Sequence, residues 1–288
     1  MRNADFPGGR ELMLPVYQID AFTIKPFRGN PAAVCIVEKE LSDETYQSIA
    51  AEMNHSETAF VRPIENVPLK NVREYSLRWF TPVVEVPLCG HATLASAKVL
   101  FDEIGITPGE ILFHTKSGIL RAVKEHDTLQ LDFPMCKPFA SSYPSGIETI
   151  LGVSRIDDAM FNQHTGYLML RIPSKEEIFH MMPDFTSLRA TVFPVEIKGL
   201  IVTAAGDNGG YDFYSRFFAP WLGVNEDPVT GSSHTMLYPY WSKILHKDIM
   251  IAYQASARGG ELYLRGIGSR VIIGGKAVIV TRGILYIS

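Results

Sequence analysis

Short apolar runs separated by turn residues predict strands in the first part of the chain. Residues 14–23 and 32–37 have strand character, and a Gly-Asn-Pro turn lies between them. After Ser42, apolar residues recur at i, i+3, i+4 and i+7, which predicts an amphipathic helix that ends near Asn54. The run that begins at Ser56 returns to strand, so Glu57 lies where a helix passes into a strand.

A second helix is predicted to be buried. Gly90 opens a segment that carries no charge until Lys98, with small or apolar residues on every face. A surface helix would carry charges on its outer side. A further helical stretch is predicted around residues 145–151, and from Gln254 onward apolar runs alternate with glycine turns, as antiparallel hairpins do.

An internal repeat organises the chain. The motif RWFTP at residues 78–82, followed by Glu85 and a turn at Gly90, recurs as RFFAP at 216–220, followed by Glu226 and a turn at Gly231. The offset is 138 residues at the arginines and 141 at the glycines. In both copies an aromatic strand leads through a proline and an acid to a glycine turn and a helix. We therefore predict two homologous lobes.

Chain length agrees with the repeat. A chain of 288 residues suits two units, each large enough to bury its own core. We assign residues 14–125 together with 277–288 to an N-terminal lobe and residues 126–276 to a C-terminal lobe. The polar, turn-rich residues 1–13 are expected to form a flexible leader.

Composition excludes several classes of function. The chain has 27 Lys and Arg against 31 Asp and Glu, a net charge of -4 and no basic block, so nucleic acid is not an expected partner. Three cysteines without CxxC spacing argue against a disulfide framework and a structural zinc site. With no signal peptide and no long apolar run, the protein is expected to be cytoplasmic and not to bind membranes.

The two glycine turns are candidate anion sites. Each turn opens a helix, and the first turn of a helix leaves N–H groups unpaired and carries a partial positive charge. If the lobes are related by a pseudo-twofold axis, the helix starts at Gly90 and Gly231 face one cleft, which would suit a small carboxylate. A single glycine is more often only a tight turn.

Three ionisable residues could supply acid/base chemistry. Glu57 lies at a strand end, where burial could raise its pKa and suit it to act as a general base. His91 and Asp227 lie beside the two glycine turns, where a His can polarise a carbonyl and an Asp can hold an amino or hydroxyl group. Taken singly, Glu57 is more often a solvated strand-end residue, and the other two are more often helix caps or turn formers.

Cys89 is a further candidate. A thiol before a glycine-opened helix can have a lowered pKa, although a small buried residue is the simpler interpretation. The chain has no GxSxG, HExxH, P-loop or GxGxxG motif, and its histidines show no paired ligand spacing. Serine hydrolase, zinc and nucleotide chemistry therefore lack support.

Six ordered motifs resemble those of the phenazine-biosynthesis isomerase-like family, including its animal members. This family shares its fold with diaminopimelate epimerase. They are DAFT, FRGNPAAV, AAEMNHSETAF, LRWFTPVVEVPLCGHATLASA, FYSRFFAPWLGVNEDPVTGSSH and RGGEL, and they span nearly the whole chain after Met13. The resemblance implies an α+β fold of two pseudo-symmetric lobes, each a strongly curved, mostly antiparallel sheet wrapped around a central helix. It also implies a site between the lobes, no metal, no organic cofactor and a homodimer.

The resemblance also implies roles for individual residues. Glu57 becomes the acid/base and His91 and Asp227 its catalytic partners, while Gly90, Gly231, Ser232 and Ser56 contact the substrate, with backbone amides around Gly90 and Ser232 holding its carboxylate. Two positions depart from the pattern. Ser233 stands where many relatives have Ala, and Cys89 matches one of the two catalytic cysteines of diaminopimelate epimerase. Because Asp227 stands in place of the second cysteine, a symmetric two-thiol racemase is disfavoured.

We therefore expect an isomerase that needs no cofactor and in which Glu57 moves a proton on a small carboxylic acid, cyclic or amino. A Cys89-assisted epimerase or racemase is one alternative. A non-catalytic module that binds a small molecule or a protein is the other. Family membership leaves the substrate open, because one fold can serve different pathways.

Overall fold

The structure is a computed structural model, and it describes residues 12–65, 67–107, 109–207 and 210–287. Most of the predicted leader, residues 1–11, lies outside the described residues. Its last two residues, Leu12 and Met13, belong to the first strand, where they pair with Ile287 and Tyr286. Leu12 and Met13 are therefore part of the sheet and do not belong to a flexible leader.

Eighteen strands and six helices make up the described chain. The strands are β1 (Leu12–Ala21), β2 (Asn30–Ile36), β3 (Thr58–Pro63), β4 (Glu74–Phe80), β5 (Glu85–Val86), β6 (Glu110–Thr115), β7 (Gly118–Glu125), β8 (Thr128–Pro134), β9 (Phe139–Ala140), β10 (Asp158–Asn162), β11 (Tyr167–Arg171), β12 (Gly199–Ala205), β13 (Phe213–Ala219), β14 (Val224–Asp227), β15 (Ile249–Gln254), β16 (Gly260–Ile267), β17 (Arg270–Gly275) and β18 (Ala277–Ile287). The helices are α1 (Asp43–Met53), α2 (Gly90–Asp102), α3 (Ile147–Leu151), α4 (Lys175–His180), α5 (Phe185–Ala190) and α6 (Gly231–Leu245), with 3-10 turns at Leu69–Asn71 and Pro220–Leu222.

The strands repeat one pairing pattern twice. In the first half, β1 is antiparallel to β2, β2 parallel to β3, β3 antiparallel to β4, β4 parallel to β6, and β6, β7 and β8 are antiparallel neighbours. The strands from β10 to β17 show the same order, with parallel pairs at β11/β12 and β13/β15. The equivalent strands β8 and β17 pair antiparallel with each other and join the halves.

The two lobes exchange strands at the end of each repeat. After β8 the chain continues to β9, which pairs with β10 of the second half, and after β17 it continues to β18, which pairs with β1 of the first half. By its place in the repeat, β8 closes the N-terminal set of strands. The predicted division at residue 126, which puts β8 in the C-terminal lobe, stays a prediction.

A buried helix lies inside each half. Every residue of α2 from His91 to Phe101 is buried except Lys98, and α2 packs against β1, β2, β3, β8 and β18. Helix α6 is buried along Ser233–Tyr238 and again at Tyr240 and Trp241, and it contacts β17 and α2. One cluster of buried apolar side chains includes residues of both helices. The predicted α+β fold of two related lobes, each a sheet around a central helix, is confirmed.

The outer faces of the sheet are covered by the shorter helices. Helix α1 begins after Ser42, whose side chain accepts from Thr45 N, and it ends at the left-handed Asn54, as predicted. Tyr46 of α1 packs on Phe60 and Phe80, with ring centroids 4.7 and 5.6 Å away. Helices α3, α4 and α5 cover the outer face of the second half. No helix among the described residues is long and apolar enough to cross a membrane.

The charged residues of the sequence repeat form the same contact in both halves. Arg78 donates Nε and Nη2 to the two carboxylate oxygens of Glu85, at 2.9 and 2.8 Å. Arg216 does the same with Glu226, at 2.7 and 2.8 Å. Each two-pronged pair ties together the two strands of the hairpin that leads into a glycine turn.

Candidate active site

Glu57 is held at the junction predicted for it, between α1 and β3. Its carbonyl accepts a hydrogen bond from Ala33 N at 3.3 Å, which ties it to β2. Its side chain is 20% exposed, and Oε2 lies 3.3 Å from Nε2 of His91. The neighbouring Ser56 Oγ lies 3.4 Å from the same nitrogen and 3.4 Å from the carbonyl of Pro31. The strand end thus presents Ser56 and Glu57 together to the first turn of α2.

Burial changes the acid/base properties of this pair. Desolvation raises the pKa of Glu57 above its usual range, although hydrogen bonds with Ser56 and Cys89 partly offset the effect. Desolvation lowers the pKa of His91, although the charge of Asp227 opposes that shift. Near neutral pH, His91 is therefore neutral and Glu57 is easier to protonate than an exposed glutamate.

The two glycine turns meet, as the pseudo-twofold relation requires. A Cβ on Gly90 would lie 3.6 Å from Cα of Gly231, and a Cβ on Gly231 would lie 3.7 Å from Cα of Gly90. Neither N-cap residue, Cys89 or Thr230, caps its helix with a side-chain hydrogen bond. The two central helices therefore begin next to each other, and no N-cap side chain pairs with the N–H groups of their first turns. Such a pair of helix starts is suited to bind an anion.

Asp227 lies at the end of β14 in a polar network that crosses between the lobes. Asn30 of β2 donates Nδ2 to Asp227 Oδ1 at 2.8 Å and to the carbonyl of Val229 at 2.9 Å, and Thr230 Oγ1 donates to Asp227 Oδ2. The amide of Gln254 supports the same turn by donating to the Asp227 carbonyl at 2.8 Å. Burial raises the pKa of Asp227 to about 6, and the charges of His91 and Glu57 act on it in opposite directions. Asp227 is thus close enough to both residues for charge coupling.

Ser232, on the first turn of α6, has a partner that the sequence did not indicate. Its Oγ lies 2.9 Å from the hydroxyl of Tyr167, whose ring packs edge-on against Phe217. Burial raises the pKa of Tyr167, so its hydroxyl keeps its proton. Tyr167 belongs to an ordinary apolar strand, and no motif in the sequence marked it as a candidate site residue. Asn30 was interpreted only as part of a Gly-Asn-Pro turn.

Cys89 is part of the site. Its Sγ lies 3.5 Å from Nδ1 of His91, and burial raises its pKa well above the usual value. Ligand atoms of Glu57, Cys89 and His91 all lie within 4.8 Å of one another, so this trio is able to coordinate a metal ion. The spacing of residues along the chain did not indicate the trio, because Glu57 comes from a different element.

The predicted site residues do not line the larger of two described cavities. That cavity has a volume of about 540 Å³ and is lined by residues including Lys25, Arg28, Tyr211, Arg258 and Lys276. It lies where the loop after β1 meets the hairpin before β16. Of all predicted site residues, the structure brings Ser56, Glu57 and His91 into contact, Gly90 against Gly231, and Asp227 and Ser232 beside them. Their roles stay predictions.

The fold and the site together define a two-lobed α+β protein with acid/base side chains where two central helices start. The chain belongs to the family of phenazine biosynthesis-like proteins, whose profile matches residues 19–283. It is 45% identical over 291 residues to phenazine biosynthesis-like domain-containing protein 2 of Mus musculus, and the match covers 95% of this chain and 99% of that protein. It is also 45% identical over 278 residues to a Pseudomonas aeruginosa protein described as an uncharacterized isomerase, with 96% and 100% covered.

A solved structure shows the same fold. The crystal structure of a PhzF-family phenazine biosynthesis protein of Enterococcus faecalis superposes with a TM-score of 0.88 at 41% sequence identity. The match covers 96% of this chain and 100% of that one. The family resemblance that the six motifs indicated is therefore confirmed.

Proposed function

We propose that this protein is an isomerase that moves a proton on a small carboxylic acid, with Glu57 as the acid/base and without a cofactor. The observation that carries the proposal is the Glu57 carboxyl, with its pKa raised by burial, 3.3 Å from His91 on the first turn of α2. The description of the Pseudomonas aeruginosa relative as an isomerase supports the reaction class. The homodimer and the cytoplasmic location stay predictions.

Substrate binding follows from the meeting of the two helix starts. The substrate carboxylate would accept hydrogen bonds from backbone N–H groups after Gly90 and Gly231, where the helix dipoles favour negative charge. Ser232 would add a hydroxyl held in place by Tyr167. Asp227 would hold an amino or hydroxyl group of the substrate. These contacts would hold the carbon that reacts beside Glu57.

The chemical step transfers one proton within the substrate. Ionised Glu57 takes a proton from a carbon next to an unsaturated acid or amine. The electron pair of the broken C–H bond forms a new double bond, and the pair of the old double bond moves to the carbon that will accept the proton. Glu57 then returns the proton to a different carbon, so substrate and product have the same atoms. A base with a pKa raised toward neutrality suits both halves of this cycle.

The second candidate is a Cys89-assisted epimerase, which the contact between Cys89 and His91 supports. The thiol pKa argues against Cys89 as the base, because burial keeps the thiol protonated near neutral pH. Cys89→Ala separates the two reactions. Loss of turnover would favour the epimerase, and full activity would remove it.

The non-catalytic alternative loses support from the geometry. A protein that only binds a ligand has no need for a carboxyl with a raised pKa beside a neutral histidine at the meeting of two helix starts. A binding module remains the interpretation to adopt if the following experiment finds no exchange with any acid.

Deuterium incorporation tests the proposal across a panel of candidate substrates. Small cyclic and amino carboxylic acids are incubated with the protein in deuterated water, and solvent deuterium in each acid is measured by mass spectrometry. We expect incorporation with at least one acid, and we expect Glu57→Gln to abolish it. Glu52→Gln, which changes an exposed acid on α1, is the matched control and should keep full activity. Equal exchange with wild type and Glu57→Gln would refute the role of Glu57.

A further inference from the structure

The hydrogen bonds around His91 indicate which ring nitrogen carries the proton. Nε2 faces two oxygens, Ser56 Oγ at 3.4 Å and Glu57 Oε2 at 3.3 Å. Ser56 Oγ donates to the carbonyl of Pro31, so this oxygen is free to accept from Nε2–H. Nδ1 then keeps its lone pair and faces the sulfur of Cys89 at 3.5 Å. Cys89 Sγ thus lies between this nitrogen and the Glu57 carboxyl, with which it also forms a hydrogen bond.

We propose that Zn²⁺ replaces the Cys89 thiol proton and binds between Cys89 Sγ, His91 Nδ1 and Glu57, and that the bound ion inhibits the protein. One proton leaves the sulfur, and a zinc–sulfur bond forms in its place. In tetrahedral zinc sites the Zn–S distance is about 2.3 Å and the Zn–N distance about 2.0 Å, which separates the two ligand atoms by roughly 3.5 Å. Sγ and Nδ1 are already 3.5 Å apart.

Glu57 supplies the third ligand. Its Oε2 is buried and has no hydrogen-bond partner of good geometry. Ligand atoms of Glu57, Cys89 and His91 lie within 4.8 Å of one another, so a side-chain rotation of Glu57 would bring a carboxylate oxygen to the same ion. Three protein ligands leave the fourth zinc position for water, as in zinc sites that stay open.

The chemistry of the ligands selects the metal. A thiolate, an imidazole and one carboxylate suit Zn²⁺, whereas Mg²⁺ and Ca²⁺ require oxygen ligands. Ser56 completes the site by accepting from the second ring nitrogen of His91, which is the usual way in which a zinc-bound histidine is oriented. The hydrogen bond between Ser56 and Nε2 thus leaves Nδ1 as the nitrogen that binds the metal.

Inhibition follows because the ion would hold the carboxylate that moves the proton. Only this consequence rests on the proposed function, since the binding of Zn²⁺ itself is measured without a substrate.

The first experiment measures binding of the metal alone. The reduced full-length protein, kept free of oxygen, competes with a chromophoric chelator for Zn²⁺, and Co²⁺ replaces Zn²⁺ to report a thiolate-to-cobalt absorption band. We expect one high-affinity ion, release of roughly one proton on binding and a cobalt–thiolate band. Ser56→Ala should weaken binding about 10-fold, because loss of a partner behind a metal ligand costs about 10–100-fold. Cys89→Ser and Glu57→Gln remove a ligand and should weaken binding more than about 100-fold.

A matched control separates this site from other thiols. Cys136→Ser removes another buried cysteine, at the link between β8 and β9, and should leave Zn²⁺ affinity unchanged. Circular dichroism checks that each variant folds. The proposal is overturned if the folded wild type binds no ion, if Cys89→Ser and Cys136→Ser bind equally, or if the cobalt complex lacks the thiolate band.

The second experiment separates this proposal from the proposed function. Deuterium exchange of the responding acid is measured with and without Zn²⁺, and a chelator should restore it. Binding that depends on Cys89 without detectable exchange on any acid would support the site and count against the isomerase. Exchange that Zn²⁺ does not reduce, despite binding, would overturn the inhibitory role.

Discussion

Asp227→Asn should stabilise the folded protein at neutral pH while it impairs the site. The carboxylate of Asp227 is kept in a buried network, and burial raises its pKa from 3.8 to about 6. Ionisation of Asp227 therefore lowers the free energy of unfolding of the protein. Asparagine has nearly the same shape. Its oxygen can still accept from Asn30, and its amide can donate to Thr230 once that hydroxyl rotates.

The size and sign of the gain follow from proton linkage. The two pKa values differ by about 2 units, and each unit corresponds to about 1.4 kcal/mol, so the cost approaches about 3 kcal/mol as an upper value. The pKa of Asp227 is higher in the folded protein than in the unfolded chain. Its protonation therefore stabilises the fold fully below pH 3.8, and this stabilisation is lost as the pH rises through about 6. The gain from Asp227→Asn should be full above about pH 6, near half at about pH 5 and small at about pH 4.

Denaturant unfolding at about pH 8 and about pH 5 measures the effect. Asp127→Asn is the control, because Asp127 is exposed and its pKa is lowered by a hydrogen bond from Lys276. It should give no stabilisation. If Asp227→Asn fails to raise the free energy of unfolding at about pH 8, or raises it equally at both pH values, the inferred cost of ionising Asp227 is wrong. A gain in stability with loss of exchange activity would be the usual trade-off at an active site.

Three other results are expected. Arg258→Met should lower the free energy of unfolding by about 3 kcal/mol, because it removes the guanidinium that lies 2.8 Å from Asp20, a carboxylate that is only 1% exposed. A loss below about 1 kcal/mol in denaturant unfolding would contradict this expectation. Gly275→Ala should cost about 1–3 kcal/mol, since the new Cβ would lie 2.4 Å from the buried ring of Phe22, and an unchanged melting temperature would show that the ring moves freely. Deuterium exchange should rise with pH through a midpoint above 4.5, because protonated Glu57 cannot accept a proton, and a midpoint below 4.5 would argue against the raised pKa.

Much of the fold could be predicted because its signals are local. The period of apolar residues after Ser42 and the N-cap itself fix α1, and the absence of charge around residues 91–97 requires α2 to be buried. The repeat of arginine, acid and glycine also indicated two related lobes. Its physical reason became visible only in the structure, where Arg78 and Arg216 each hold the glutamate of their own hairpin.

The strand pair that joins the two lobes could not be predicted from local pattern. An apolar run shows that a segment is a strand, but the run does not identify its neighbour. β8 and β17 could each have closed their own lobe, and they pair with each other instead. The polar network at Asp227 is similar, because its partner Asn30 lies 197 positions away.

By itself the sequence determined the elements, the duplication, the family and the residues best suited to acid/base chemistry. These depend on side-chain type and on spacing within one element. Only the tertiary structure decided that Glu57 meets Cys89 and His91, because a parallel strand pair and a buried helix start bring them together. The same packing largely buries the carboxyl of Glu57, and this burial raises its pKa and makes an ordinary strand-end carboxyl a candidate base.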